Sequence, residues 1–288
     1  MKSLPPHWQS YIELTRLNRP IGIYLLLWPT LWALWIAAEG WPGWHLFLVF
    51  TLGTVLTRSA GCIVNDVTDR QFDGSIKRTR DRALVVGKIG PLEATILAAG
   101  ITCLALLLVL TTNLLTVALS AAAALIALIY PFMKRYTYLP QAILGIAFSM
   151  GIPMAFSATT GQIASIAWLV LTANLLWVVA YDTQYAMVDR DDDLQLGLKS
   201  TAILFADLDR HMIGLLQLIF LLTMLLAGRN LGFSKWYFLG LWIGTALFIY
   251  QHYLTWSRSR EGYFNAFLNN HWVGLAIFAG IFLHYTLT

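Results

Sequence analysis

The sequence predicts an all-α integral membrane protein with nine transmembrane helices, and three observations carry that reading. The 288 residues are 58% hydrophobic and 12% charged, with a mean hydropathy of +0.65. A water-facing domain carries about 25% charged residues, so this chain has too few to cover an aqueous surface and must meet lipid instead. Apolar stretches of the length a bilayer core demands recur along the whole chain. The charged residues, finally, crowd into alternate loops. The same composition excludes disorder, a collagen-like fibre and a disulfide scaffold. A net charge of +4 is too small to argue for a nucleic-acid partner. Cys62 and Cys103 both lie in apolar stretches and imply neither a disulfide nor a zinc framework. The opening MKSLPPHWQSYIELTRLNRP lacks a short apolar core followed by a small-residue cleavage site, so no removable signal peptide is expected.

Taken in order, the spans fall at roughly 20–38, 44–64, 91–110, 113–131, 139–158, 164–182, 210–228, 236–253 and 268–287. The joins at Thr111–Asn113 and Thr159–Gln162 are tight, which makes their neighbours antiparallel hairpins. One side of the membrane receives Lys2, Arg16, Arg19, the loop 65–90, the Lys134-Arg135 turn, the loop 183–209 and Arg258 with Arg260. The other side receives only Arg229 and Lys235. Basic loops stay in the cytoplasm, so the N-terminus is expected there, and an odd span count puts Thr288 on the periplasmic side. In a bacterial cell this means the inner membrane. Trp28, Trp41, Trp44, Trp168, Trp236 and Trp272 sit near span ends, where interfacial tryptophans belong.

The acidic residues do not follow from topology, because Asp and Glu contribute little to orientation. Of fifteen, all but Glu39 fall on the cytoplasmic side, most in two clusters. In the first, Asn65, Asp69 and Asp73 are spaced four apart. At about 100° per residue each step drifts only about 40°, so the three share one helical face. Arg58 stands seven residues before Asn65, two turns deeper in an apolar segment and on the same face. In the second cluster Asp189 and Asp193 repeat the spacing of four, and Asp182 stands seven before Asp189. Asp69 to Asp189 and Asp73 to Asp193 are both 120 residues. The spacing reads as a faint duplication within one domain: four-helix units at about 20–131 and 139–253, plus a ninth helix, each unit presenting one acidic stripe.

Carboxylates sharing one site cannot all stay ionised without counter-cations. Hard divalent ions with oxygen ligands are the usual partners, and Mg²⁺ takes one or two carboxylates and completes its shell with water and phosphate oxygens. The clusters therefore suggest a Mg²⁺–phosphate site at the membrane surface. Blander readings stand beside this one. Asp66, Asp81, Asp191, Asp192, Asp207 and Asp209 can be solvated loop residues. An intramembrane Arg58 is costly in lipid and marks either function or a pair with a neighbouring carboxylate. Lys134 and Arg135 serve equally as a positive-inside anchor or as phosphate contacts.

The pattern N-D-x-x-D-x-x-x-D at 65–73 and D-x-x-x-D at 189–193 resembles the UbiA superfamily of intramembrane prenyltransferases. Five stretches resemble its bacterial branch acting on 4-hydroxybenzoate: RLNRPIGIYLLLWPTLWALW (16–35), TRSAGCIVNDVTDRQFD (57–73), KRTRDRALVVGKI (77–89), YPFMKRYTYLPQAILGIAFSMGIPMAF (130–156) and YDTQYAMVDRDDDLQLGLKSTAILF (181–205). Ala83 departs from the family, which usually has proline there. The resemblance covers nearly the whole chain. It implies nine helices around a central cavity, with a lateral opening for an isoprenoid tail. It also implies a polyprenyl diphosphate donor, 4-hydroxybenzoate as acceptor, and transfer to the ring carbon ortho to the hydroxyl with release of diphosphate, a step of ubiquinone biosynthesis. By motif position, Asp69, Asp73, Asp189 and Asp193 would hold Mg²⁺ on the diphosphate. Arg58 and Asn65 would line the aromatic-acid pocket with Asp182 beside them, and Lys134 with Arg135 would contact the diphosphate.

The sequence admits other readings. A UbiA-type enzyme for another acceptor would share the acidic motifs and differ around Arg58. A CDP-alcohol phosphotransferase needs its aspartates in one compact run, which is absent here. A cation-coupled secondary transporter would place ionisable groups near the bilayer midplane in broken helices, whereas these cluster at one face.

Overall fold

The computed structural model describes residues 6–288; Lys2, counted above with the basic N-terminal arm, lies outside the described residues. The chain is all-helical: α1 Pro6–Leu14, α2 Ile21–Ala37, α3 Gly43–Asp73, α4 Pro91–Val109, α5 Leu114–Tyr136, α6 Pro140–Ser149, α7 Gly151–Thr160, α8 Ser165–Gln195, α9 Thr201–Phe205, α10 Asp209–Asn230, α11 Lys235–Leu254 and α12 Arg260–Leu287. Among the described residues seven helical stretches are long and apolar enough to cross a membrane, with Ile21–Ala37 a shorter apolar helix beside them. Each of the nine apolar stretches read from the sequence is helical. Lys235–Leu254, the eighth, is helical without being among those seven.

Two boundaries differ from the sequence reading in an informative way. The stretches beginning at 65 and 183, read as loops, start as helix: α3 and α8 each run 31 residues, far longer than a bilayer requires, and carry their acidic motifs out on their last turns. The fifth span is broken between α6 and α7. Pro153 has no N–H to donate to the Ser149 carbonyl four residues back, which interrupts the ladder there. Asn174 of α8 covers the break by donating to the Ser149 hydroxyl at 2.9 Å.

The main core joins α2, α7, α8, α10, α11 and α12. At its centre Trp32 stacks on Trp177 at 5.4 Å between centroids, and Trp177 stacks on Phe220 at 5.7 Å. Trp32 also donates from Nε1 to the Gly274 carbonyl of α12 at 3.0 Å. That approach depends on Gly274, since a Cβ there would lie 2.5 Å from the Trp28 ring. A second, smaller core joins α1, α3, α4 and the segment 74–90 through Leu14, Ile63, Ala83, Leu84 and Ile89. Leu84 is fully buried, so this segment is a packed element rather than a free loop. Ala83, the departure from the family pattern, is buried in that core.

Gly274→Leu is expected to separate α2 from α12 and to destabilise the solubilised protein by about 1–3 kcal/mol, the usual cost of overpacking. Gly100→Leu, on α4 with no atom within 4 Å of its would-be Cβ, is expected to leave the melting temperature unchanged. Equal shifts in a thermal unfolding assay would contradict this packing.

Candidate active site

The last turns of α3 place Asp66, Asp69 and Asp73 side by side, each only 3% exposed. Buried carboxylates need compensating charge, and each has it. Lys134, in the last turn of α5, reaches Asp69 at 2.6 Å. Arg82 bridges Asp66 at 2.9 Å and Asp73 at 2.6 Å. Arg16, just after α1, grips both Asp66 oxygens at 2.9 and 3.1 Å. Arg16 does this from a left-handed backbone (φ 59°), a conformation that costs a non-glycine residue about 1 kcal/mol or more.

On α8, Asp189 is gripped by Arg78, which also donates to the Tyr185 hydroxyl and lies 4.6 Å from that ring's centroid. Arg78 comes from the segment following the first acidic motif and so ties the end of α3 to the second motif. Burial opposes the charge on Arg78, and Tyr185 and Asp189 outweigh it, so its pKa is raised. Arg82 behaves alike: Asp66 and Asp73 outweigh burial. Both guanidinium groups stay charged. Asp193 lies within electrostatic reach of Lys134 and Arg78, the cations that hold Asp69 and Asp189. The two stripes thus meet across shared cations. The backbone supports the meeting, since the Lys199 N–H donates to the Lys134 carbonyl at 2.9 Å.

Deeper in the bundle, Arg58 lies 5.6 Å over the Phe148 ring, and its Nε is buried with no hydrogen-bond partner. Its guanidinium sits against α2 at Gly22, where an added Cβ would stand 2.3 Å from Nε. Asp182 and Tyr181 lie within its electrostatic reach, and Asp182 is 9% exposed. Asn65 is half-buried on the turn between Arg58 and Asp69. Arg135 is placed otherwise than its neighbour: it donates to the Thr68 carbonyl at 3.1 Å and stacks over Phe72, touching no carboxylate.

Arg78, Arg82 and Tyr185, which were not singled out from sequence, all contact the carboxylates or their cations. Arg16 joins them on Asp66, which is a buried member of the cluster rather than a solvated one. Asp209 is also fully buried, between Arg190 and Arg258. Asp81, Asp191 and Asp207 are exposed, as a solvated reading has them.

Among the described residues no three His, Cys, Asp or Glu side chains gather closely enough to hold an ion by themselves. The donor set nevertheless fits Mg²⁺, because that ion takes only one or two carboxylates and fills its shell with phosphate and water oxygens. Asp69 Oδ1, buried and without a hydrogen-bond partner, is an oxygen available for that role.

Fold and site together define a multi-pass membrane protein whose ionisable centre lies at one end of an apolar helical bundle. The UbiA prenyltransferase family profile matches residues 26–282, and the chain belongs to that family. It is 56% identical over 274 residues to a 4-hydroxybenzoate octaprenyltransferase of Chromohalobacter salexigens, covering 95% of this chain and 92% of that one. It is 52% identical over 287 residues to the protein of the same name in Pseudomonas fluorescens, covering 100% and 97%. Among solved structures, the apo UbiA homolog of Aeropyrum pernix superposes with a TM-score of 0.80 at 24% identity over 90% of this chain and 97% of that one. The Archaeoglobus fulgidus homolog bound to GPP and Mg²⁺ gives 0.72 at 16% identity over 96% and 99%. These distant structures share the fold.

Removing Arg82 would strand two buried carboxylates. Arg82→Leu is therefore expected to cost about 3–5 kcal/mol, the range for breaking a buried ion pair, and to lower the melting temperature. An unchanged melting temperature would mean that the Asp66–Arg82–Asp73 bridge does not form.

Proposed function

We propose that this chain transfers a polyprenyl group, octaprenyl by the naming of its relatives, from its diphosphate to 4-hydroxybenzoate. The new bond forms at the ring carbon ortho to the hydroxyl, diphosphate is released, and the product enters ubiquinone biosynthesis. The observation that carries the reading is the convergence of two acidic motifs, 120 residues apart in the chain, on shared cations at one end of the bundle. The equal lengths of α3 and α8 support two related four-helix units, each delivering one motif. Nine crossings, with the N-terminus and the site on the cytoplasmic face of the inner membrane and Thr288 in the periplasm, fit the distribution of basic residues.

The donor's allylic C–O bond breaks with both electrons leaving on the diphosphate, and the developing charge there must be neutralised. Asp69 and Asp73 on one side and Asp189 and Asp193 on the other would hold Mg²⁺, which would supply the positive charge that neutralises the departing diphosphate. Lys134, Arg78 and Arg82 sit beside those carboxylates and supply further positive charge. Arg135, packed on Phe72, adds to the positive rim. Water must be kept from the allylic cation, and aromatic walls exclude it while offering π-density. Arg58 would pair its fork with the acceptor's carboxylate, with Asn65 and Asp182 flanking the ring. The ring carbon then supplies the electron pair for the new C–C bond. Loss of its proton to a carboxylate or to the departing diphosphate restores aromaticity.

Membranes carrying the protein are expected to incorporate labelled 4-hydroxybenzoate when given octaprenyl diphosphate and Mg²⁺, and not without Mg²⁺; incorporation independent of Mg²⁺ would overturn the reading. Arg58→Ala is expected to raise the KM for 4-hydroxybenzoate tenfold or more, in line with the roughly 1.5–3 kcal/mol of a charged hydrogen bond, with little change for the diphosphate. Arg58→Lys should restore part of this, since lysine keeps the charge and loses the fork. Gly22→Ala retains Arg58 but forces its guanidinium aside, so it should raise the same KM and no other. A rise in the diphosphate KM instead would move Arg58 to the phosphate site.

A further inference from the structure

The opposite face of α8 carries polarity that the chemistry above does not use. Gln184 follows Asp182 by two residues, about 200° round the helix, and precedes Asp189 by five, about 140° the other way. It therefore points away from the acidic stripe, into the bundle, where it is 1% exposed. There it belongs to a belt of amides. Trp177 Nε1 donates to Asn270 Oδ1 at 2.9 Å, and Asn270 Nδ2 donates to Gln184 Oε1 at 2.9 Å. Gln184 Nε2 donates to Gln251 Oε1 at 3.1 Å, and Gln217 Nε2 donates to the same oxygen at 2.9 Å. Gln251 Nε2 donates onward to Asn269 Oδ1 at 3.1 Å. His252 Nε2 faces Gln217 Oε1 at 3.1 Å, and since an amide oxygen only accepts, that nitrogen carries the ring proton.

The belt ties α8 to α10, α11 and α12 through Gln251, whose side chain makes three of these bonds. Packed apolar surfaces already hold these helices together, and apolar contact tolerates rotation of a helix about its axis. A directional amide network does not, because turning α8 misaligns the bonds at Gln184. The next residue, Tyr185, lies beneath Arg78 and packs 4.6 Å from Phe267, one turn before Asn270 on α12. Consecutive residues of α8 thus anchor its back in the belt and support the Arg78–Asp189 contact at its front.

We propose that this belt, with Gln251 as its hub, sets the rotation of α8 and so aims Asp189 and Asp193 at the metal–diphosphate site; Gln251 is a positioning residue. The proposal rests on reading those carboxylates as that site. The test is Mn²⁺ binding by the full-length solubilised protein, read by electron paramagnetic resonance with inorganic diphosphate present, alongside the Mg²⁺ dependence of turnover. Gln251→Leu is expected to weaken Mn²⁺ binding fivefold or more and to raise the half-maximal Mg²⁺ concentration similarly. Tyr237→Phe removes a buried bond from α11 to the Met224 carbonyl of α10 without touching α8, and should lower the melting temperature while sparing Mn²⁺ binding. If Gln251→Leu does not fold, Gln217→Leu, which deletes one donor to the hub, is read in its place. A loss of thermal stability with wild-type Mn²⁺ affinity would overturn the proposal and reduce the belt to helix cohesion. Asp189→Asn in the same series should abolish binding. If it does not, the site reading itself falls, and the positioning role with it.

Discussion

Three carboxylates buried within two turns of one helix impose the constraint on which the rest of this structure depends. Asp66, Asp69 and Asp73 cannot remain ionised together in a low-dielectric setting unless cations are brought to them. Those cations arrive from three separate elements: Arg16 after α1, Arg82 from the segment before α4, and Lys134 from the end of α5. Each of those elements is consequently fixed at the same end of the bundle. The segment 74–90 illustrates the cost, since Leu84 and Ile89 are buried to hold a stretch that would otherwise be a surface loop. Anchored in this way, it can send Arg82 back to the first motif and Arg78 across to the second.

The same constraint organises the chemistry. A cluster of carboxylates and cations at the membrane surface is matched to a substrate with a strongly anionic head and an apolar tail. In the proposed reaction the head would meet fixed charges of both signs, and the tail would meet the bundle and lipid. Arg58 occupies the intermediate depth, with its Nε unpartnered and its position set by the bare backbone at Gly22. In the proposed reaction this guanidinium, held within apolar helices, would pair with the small carboxylate of the acceptor.

Much of this was legible in the chain. The four-residue spacing of Asn65, Asp69 and Asp73 and the 120-residue offset to Asp189 and Asp193 are helical-face arithmetic, and helices of that period form. What was not legible is which cation serves which carboxylate. Arg78 and Asp189 are 111 residues apart, and no periodicity links a loop arginine to a helix on the far side of the bundle. Helix ends were blurred for a related reason: hydropathy falls where the apolar stretch ends, while α3 and α8 continue through their polar last turns, which are packed. The amide belt left a signal that apolar-span counting passes over, namely isolated Gln and Asn residues inside hydrophobic helices. In lipid such residues must find one another, and here they do.

In the proposed reaction the α3 and α8 carboxylates act as one unit on one substrate head. A double-mutant cycle in turnover, with Asp69→Asn, Asp189→Asn and the pair combined, tests it most directly. If the motifs form a single site, either substitution alone should cost nearly as much activity as both together, because ligands that act as a unit are strongly non-additive. Independent losses, with the double variant slower by the product of the two single factors, would contradict the account.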